Sequence, residues 1–165
     1  MNAENSFSCS WDGLVRGVTV GVFVLVVVVT AVLGTVAGSL LPVVALTVLY
    51  GGIVLLPLLW APIGYFVDDG RVTVERLIGD AKISVNEGPN RWSWAWWGIR
   101  LFGSGGFYGY YGYFAFKGLG RVRMYATNRH NLVLLRDTRG GKILLSPDEP
   151  ERFIQRLELA LHSVR

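Results

Sequence analysis

The chain has 165 residues and a formal net charge of +4; 52% of it is hydrophobic and only 17% charged, against about 25% charged in ordinary soluble domains. A single cysteine, Cys9, excludes an intramolecular disulfide and a thiolate metal cluster. The charge is confined to one part of the chain. Gly17 to Phe66 contains no Asp, Glu, Lys or Arg, and all charged residues but Glu4, Asp12 and Arg16 lie from Asp68 onward.

In chain order, residues 1–15 read as an N-terminal tail, with Cys9 as a spare thiol. No apolar run precedes "FSCS", as a lipidation signal would require. Residues 16–64 read as a transmembrane hairpin. One helix needs about 20 apolar residues to cross about 30 Å of hydrocarbon, so this run accommodates two, at 16–37 and 41–64. The break is "GTVAGSLLP", where Gly34 and Gly38 loosen the first helix, Ser39 can cap the second and Pro42 suits its first turn. Length argues against a strand, and the second apolar run argues against a cleaved signal. Pro57 and Pro62 bend or end the second helix.

Arg16 precedes the first span, Arg71 and Arg76 follow the second, and the turn between the spans carries no basic residue. The positive-inside rule then expects a two-pass protein of the cytoplasmic (inner) membrane, with both termini and the second domain in the cytoplasm. Trp11, Trp60 and Tyr65 are the expected interfacial anchors. No ionisable group lies within the spans, so they read as an anchor rather than an ion path.

Residues 65–165 change texture to short strands and turns. Asp69-Gly70, Gly79-Asp80 and "TRGG" mark turns, and "NEGPN", 86–90, reads as a loop. "RWSWAWWGIRLF" sets Trp92, Trp94 and Trp96 on one strand face. In "GRVRMYAT", Val122, Met124 and Ala126 face one way, while Arg121, Arg123, Tyr125 and Thr127 face the other. "SPDEPERFIQRLELALHSVR" reads as a closing helix. Ser146 and Glu149 are its capping box, Pro147 its first position, and Phe153, Leu157, Leu161 and Val164 its apolar stripe. Strands followed by one such helix predict a two-sheet sandwich or barrel capped by the helix.

The run "YATNRHNLVLLRDTRGGKILLSPDEPERFIQRL" is similar to the end of bacterial PH-like domains, which have the pleckstrin-homology fold and often accompany membrane helices. "FVDDGRVTVERLIGDAKISV" and "FGSGGFYGYYGYF" resemble earlier strands of that family, and the likeness covers about residues 63 to 162. The resemblance implies about seven strands in an orthogonally packed sandwich with a C-terminal helix. It carries over no catalytic residue.

The chemistry-bearing motifs mostly dissolve residue by residue. From Gly103 a GxGxxG pattern reaches Gly105 but then meets Tyr108, and the residues beyond are strand-like rather than helical. Ser104 lacks the flanking glycine of a nucleophile elbow because position 102 is Phe. His130 and His162 have no evident partners. The expectation is a non-catalytic module with no cofactor and no metal. The interleaved aromatics and glycines of 107–116 read as packing, bulges and bends.

The basic residues carry more information. From Arg91 to Lys142 there are nine Lys or Arg and one acid, Asp137. Arg121 and Arg123 share a strand face, and Lys117 and Arg129 are candidates to join them as a lipid- or partner-binding face. Beneath an anionic leaflet each such residue contributes about 1 kcal/mol. Membrane attachment speaks against nucleic acid as the partner. The reading is a membrane-anchored binding or scaffold module for a protein or peptide, with anionic lipid headgroups as a further contact. The alternative is an accessory subunit of a larger membrane complex, its hairpin packed on partner helices through the Gly34–Gly38 spacing.

Overall fold

In a computed structural model that describes residues 3–36, 39–93 and 98–163, the uncharged run forms two helices, α1 (Gly13–Val36) and α2 (Leu40–Leu55). Two helical runs are long and apolar enough to cross a membrane: α1, which spans about 36 Å, and Val43–Trp60, which joins α2 to the turn that follows it. Their valines and leucines point outward along most of their length. A core helix would bury such residues, so this surface calls for an apolar solvent.

The helix boundaries depart from expectation for local reasons. α1 starts three residues earlier, because the Asp12 carboxylate accepts the Val15 amide at 2.8 Å as an N-cap. Ser39 sits extended before α2 but makes no capping bond through its side chain. α2 gives way to a 3-10 turn, Leu56–Trp60, near Pro57, and Ala61 before Pro62 is extended. Residues 62–64, expected inside the second span, therefore already belong to a strand.

The strands are β1 (Ser6–Ser8), β2 (Pro62–Asp68), β3 (Arg71–Arg76), β4 (Ala81–Trp92), β5 (Gly98–Gly105), β6 (Tyr110–Phe116), β7 (Gly120–Ala126), β8 (Leu132–Asp137) and β9 (Lys142–Leu145), closed by α3 (Pro150–Ser163). Their order is β1-β2-β3-β4-β8-β9-β7-β6-β5, antiparallel except for β7 beside β9. β4 pairs with β3 through Ala81–Ser84 and with β8 through Val85–Trp92, so one long strand carries the chain from one layer to the other. Two register shifts, at Val85/Glu87 and Glu87/Asn90, accompany this switch. Residues 86–90, expected as a loop, are this bulged stretch of β4; Pro89, which has no N–H to give, is tolerated at such an irregularity. Trp94 and Trp96 lie outside the described residues.

The architecture is a mainly-β domain with a C-terminal helix, as the resemblance implies, and has nine strands among the described residues rather than about seven. One addition is β1, from the segment expected to be a tail. β1 pairs with β2, and Phe7 meets the Phe153 ring edge-on at 5.1 Å. Asp148 ties the segment down further by accepting the Ser10 amide at 2.8 Å and the Ser8 hydroxyl at 2.9 Å. Cys9 is accordingly not a spare thiol in a loose tail. Burial pushes its thiol up to about 11 from an ordinary 9.0. Thiolate is the reacting form, so alkylation at pH 8 should run about a hundredfold slower in the folded protein than in detergent-unfolded chain. Equal rates would show that the segment is undocked.

β7 stands between two cores. Val122, Met124 and Ala126 enter one with Phe114, Phe116, Leu132 and Leu144, and Val15 of α1 seals it. Tyr125 enters the other, between the β2–β4 layer and Phe153, Leu157 and Ala160 of α3. That alternation matches the sequence pattern. α3 starts one turn later than expected, at Pro150, and Val164 lies outside the described residues. Ser146 has other work than capping: its hydroxyl accepts the Thr127 amide at 2.8 Å and the Asn128 amide at 3.2 Å. Tyr65, expected at the membrane interface, is a core residue with 0% exposure. Its hydroxyl donates to the Tyr125 carbonyl at 2.7 Å and accepts the Ser146 amide at 3.1 Å.

Candidate functional site

Where the hairpin meets the domain, the β5–β6 ribbon does the joining. Its turn sets Tyr108 at φ 57, and the Tyr108 amide donates to the Thr19 hydroxyl of α1 at 3.1 Å. The Tyr108 ring meets Trp11 edge-on at 5.8 Å and Phe23 at 6.4 Å. On the other span, the Tyr111 hydroxyl donates to the Pro57 carbonyl at 2.7 Å. Asp12, at the root of α1, accepts Arg129 Nε at 2.9 Å and the Arg129 amide at 3.2 Å. Both spans are thus bonded to the same domain.

Between the end of the second span and the ribbon lies a cleft of about 630 Å³. Leu56, Pro57 and Trp60 form its wall on the hairpin side, and Phe102, Phe107, Tyr111 and Tyr113 continue the apolar lining. Arg76 of β3, Arg100 of β5 and Arg123 of β7 also line it, over a floor that includes Tyr125. Phe102, Tyr113 and Arg123 are cross-strand neighbours along β5, β6 and β7, which explains their shared face. The Arg76 and Arg123 guanidinium carbons stand 5.7 Å and 5.0 Å from the Tyr125 ring centroid, within cation–π range.

The ribbon reaches this shape through two facing glycines. Gly103 and Gly112 are paired in register, with φ 106 and φ 114. A Cβ on either would lie 2.0 Å and 2.3 Å, respectively, from a backbone carbonyl oxygen of the other strand. Only glycine permits this approach.

Burial raises the Tyr125 hydroxyl above its ordinary range, although Arg123 and Arg76 pull the other way. Burial likewise pushes Tyr111 up to about 12. Both stay protonated donors near neutrality. Ser104 commits its hydroxyl to the Phe107 carbonyl at 2.6 Å. Among the described residues the cleft lining contains no carboxylate, cysteine or histidine. The arrangement is suited to holding an anion against an apolar wall.

The anticipated basic face is assembled only in part. Arg123 lies in the cleft; Arg121 is exposed beside it, its guanidinium carbon 4.4 Å from the Tyr113 ring centroid. Lys117 projects from the β6–β7 turn outside the cleft. Arg129 does not join them, being half-buried against Asp12 and close to Tyr110, which belongs to the opposite core. Of the expected anchors, Trp60 lines the cleft, Trp11 packs on Tyr108 and Tyr65 is internal. Arg76 and Arg100 were not anticipated. For Arg100 the available signal was the acid-poor stretch from Arg91 onward; Arg76 follows Glu75 and gave no such signal, and the convergence of the three arginines depends on the curvature of the ribbon.

The model of the bacterial PH domain family matches residues 63–161, from β2 through nearly all of α3. The chain belongs to that family. No curated protein and no solved structure matches it. Bacterial PH domains are in general binding or scaffold modules rather than catalysts. In this bacterial PH domain protein, β1, Phe7 and Asp12 lie outside the matched range yet complete the domain. Two apolar helices adjoining the domain indicate membrane association.

Proposed function

We propose that this chain is a membrane-anchored, non-catalytic module that holds a PH-like domain at the cytoplasmic surface of the cytoplasmic membrane and engages a protein or peptide partner there. The observation that carries the reading is the bonding of both span ends to one domain, through Asp12–Arg129, Thr19–Tyr108 and Pro57–Tyr111. A domain fastened at two roots keeps one orientation to the bilayer. Arg16 and Arg71 flank the spans, which supports the cytoplasmic side.

The partner surface in this reading is the outer edge of β5. β5 ends the sheet, no strand pairs with its outer edge among the described residues, and Ile99, Leu101 and Phe102 are exposed on it. An extended peptide can add there through main-chain hydrogen bonds. A photo-crosslinking residue placed at Ile99 in intact membranes should give a discrete adduct that is missing when the same residue replaces Arg139 in the distant β8–β9 turn. No adduct from Ile99, or the same adduct from both sites, would sink the reading.

An accessory subunit whose hairpin packs on partner helices is the second reading. Gly38 of the Gly34–Gly38 spacing lies outside the described residues; the reading is favoured also by Gly13, Gly17 and Gly21 on α1, where nothing lies within 4 Å of an added Cβ. It expects adducts from Val24 in α1 in place of Ile99.

A further inference from the structure

We propose that the arginine-lined cleft is a binding site for one anionic phospholipid, whose phosphate is held by Arg76, Arg100 and Arg123 and whose chains lie against the end of the second span. The inference rests on the reading that the hairpin lies in a bilayer, and it adds a ligand of defined chemistry to that reading.

Charge is the first argument. Two guanidiniums share one aromatic ring, with Arg100 on the same cleft, and among the described residues no carboxylate pairs with any of the three. Three like charges converging on one cleft make it a place of concentrated positive charge, which an anion neutralises. A phosphate suits them, since a guanidinium offers paired donors in the fork geometry that phosphate oxygens accept.

Unmet hydrogen bonding is the second. Among the described residues Arg76 Nε and the Tyr125 hydroxyl are buried without a partner, although Arg76 Nη2 donates to the Gly79 carbonyl, and Tyr125 is only 4% exposed. Both belong to residues lining the cleft, and both are donors. Buried donors are rarely left empty, and an anion in the cleft that draws these two side chains toward it would satisfy them. The third argument separates a lipid from a soluble phosphate. The facing wall is Leu56, Pro57 and Trp60, the end of the membrane span itself. Its volume exceeds what a bare phosphate fills and falls in the range of sites for larger organic ligands. An amphiphile satisfies the arginines and covers this wall at once, and a leaflet lipid reaches it without leaving the membrane.

The full chain, purified in neutral detergent, would be titrated with phosphatidylglycerol, phosphatidylcholine or glycerol 3-phosphate and read by native mass spectrometry together with thermal unfolding. The expected result is one phosphatidylglycerol per chain, bound at least about tenfold more tightly than phosphatidylcholine, with glycerol 3-phosphate failing to displace it. The Arg100→Gln, Arg123→Gln pair should weaken binding about tenfold or more, and because both side chains are exposed the variant should still fold. Arg139→Gln should leave it unchanged. Tyr125→Phe gives a readout that a merely structural role would not produce. It removes an unpartnered buried hydroxyl, so it should weaken lipid binding while leaving lipid-free thermal stability equal or higher. Equal affinity for both lipids, undiminished binding in the double variant, or a Tyr125→Phe protein less stable without lipid overturns the proposal. Displacement by glycerol 3-phosphate overturns the lipid source. A chain that is monodisperse without detergent fails the anchoring reading; a detergent-dependent chain that ignores phosphatidylglycerol fails the cleft alone.

Discussion

Replacing Asp12 by alanine should destabilise the β domain by about 4 kcal/mol and unfasten it from the first span. Asp12 is buried, and one side chain serves four groups: the Val15 amide, the Arg129 amide, the Arg129 guanidinium and, at a longer 3.4 Å, the Tyr110 hydroxyl. Loss of an N-cap costs about 1 kcal/mol, and breaking a buried ion pair from one side about 3–5 kcal/mol, somewhat less here because Arg129 keeps some contact with solvent. Asp12→Asn retains the cap oxygen but not the charge and should fall between the two proteins. Thermal unfolding in detergent measures the loss, and hydrogen exchange at Tyr108 and at 127–130 locates it.

The effect also has a pH signature. Burial by itself would raise the Asp12 carboxyl, but the Val15 amide and Arg129 outweigh it and hold the group below its ordinary 3.8. A depressed folded-state pKa means that the stabilisation is complete above the unfolded value and disappears as pH falls through the folded one. The stability gap between Asp12 and Asp12→Ala proteins should therefore be flat above about pH 5 and close only below the ordinary carboxylate range. A gap that closed near neutrality, or none at all, would refute the assignment.

The same residue shows where the sequence was legible and where it was not. The hairpin was readable because fifty uncharged residues exceed any one strand or span and divide at one break, and β7 because period-2 alternation needs only its own seven residues. The β1 segment was not. Three residues carry no periodicity, and their fastenings lie far along the chain, at Phe66, Tyr65 and Asp148. Arg129 looked like part of a basic display face because its partner, Asp12, stands 117 residues upstream. The capping-box pattern at Ser146 was a fair local inference, overridden when two β7-end amides claimed the hydroxyl. Tyr65 has the composition of an interfacial anchor, and only the fold shows its hydroxyl joining the two layers. The cleft belongs to the same class of facts. Arg76, Arg100 and Arg123 come from three strands, and no linear pattern brings them together.

What does bring them together can be tested at a single atom. Gly112→Ala should cost about 4 kcal/mol or more, the upper end for one methyl group. The new Cβ would sit 2.3 Å from the Phe102 carbonyl oxygen and 2.9 Å from Gly103 Cα, both backbone, with the residue at φ 114. No rotamer change relieves such an overlap. The strands must separate, or the chain must give up its positive φ, and either change pulls β5 off β6 where the ribbon lines the cleft. Gly118→Ala is the matched control. It also has a positive φ, 84, but no atom within 4 Å, so it should cost only the intrinsic strain, about 1–2 kcal/mol. Gly103 meets the same obstacle from the opposite strand, so the two substitutions should not add. Once one has forced the strands apart, the second finds room, and the double variant should unfold within about 1 kcal/mol of the worse single one. Additive losses, or a Gly112→Ala protein no less stable than Gly118→Ala, would mean that the two strands do not meet at these glycines and that the three arginines are held by some other curvature.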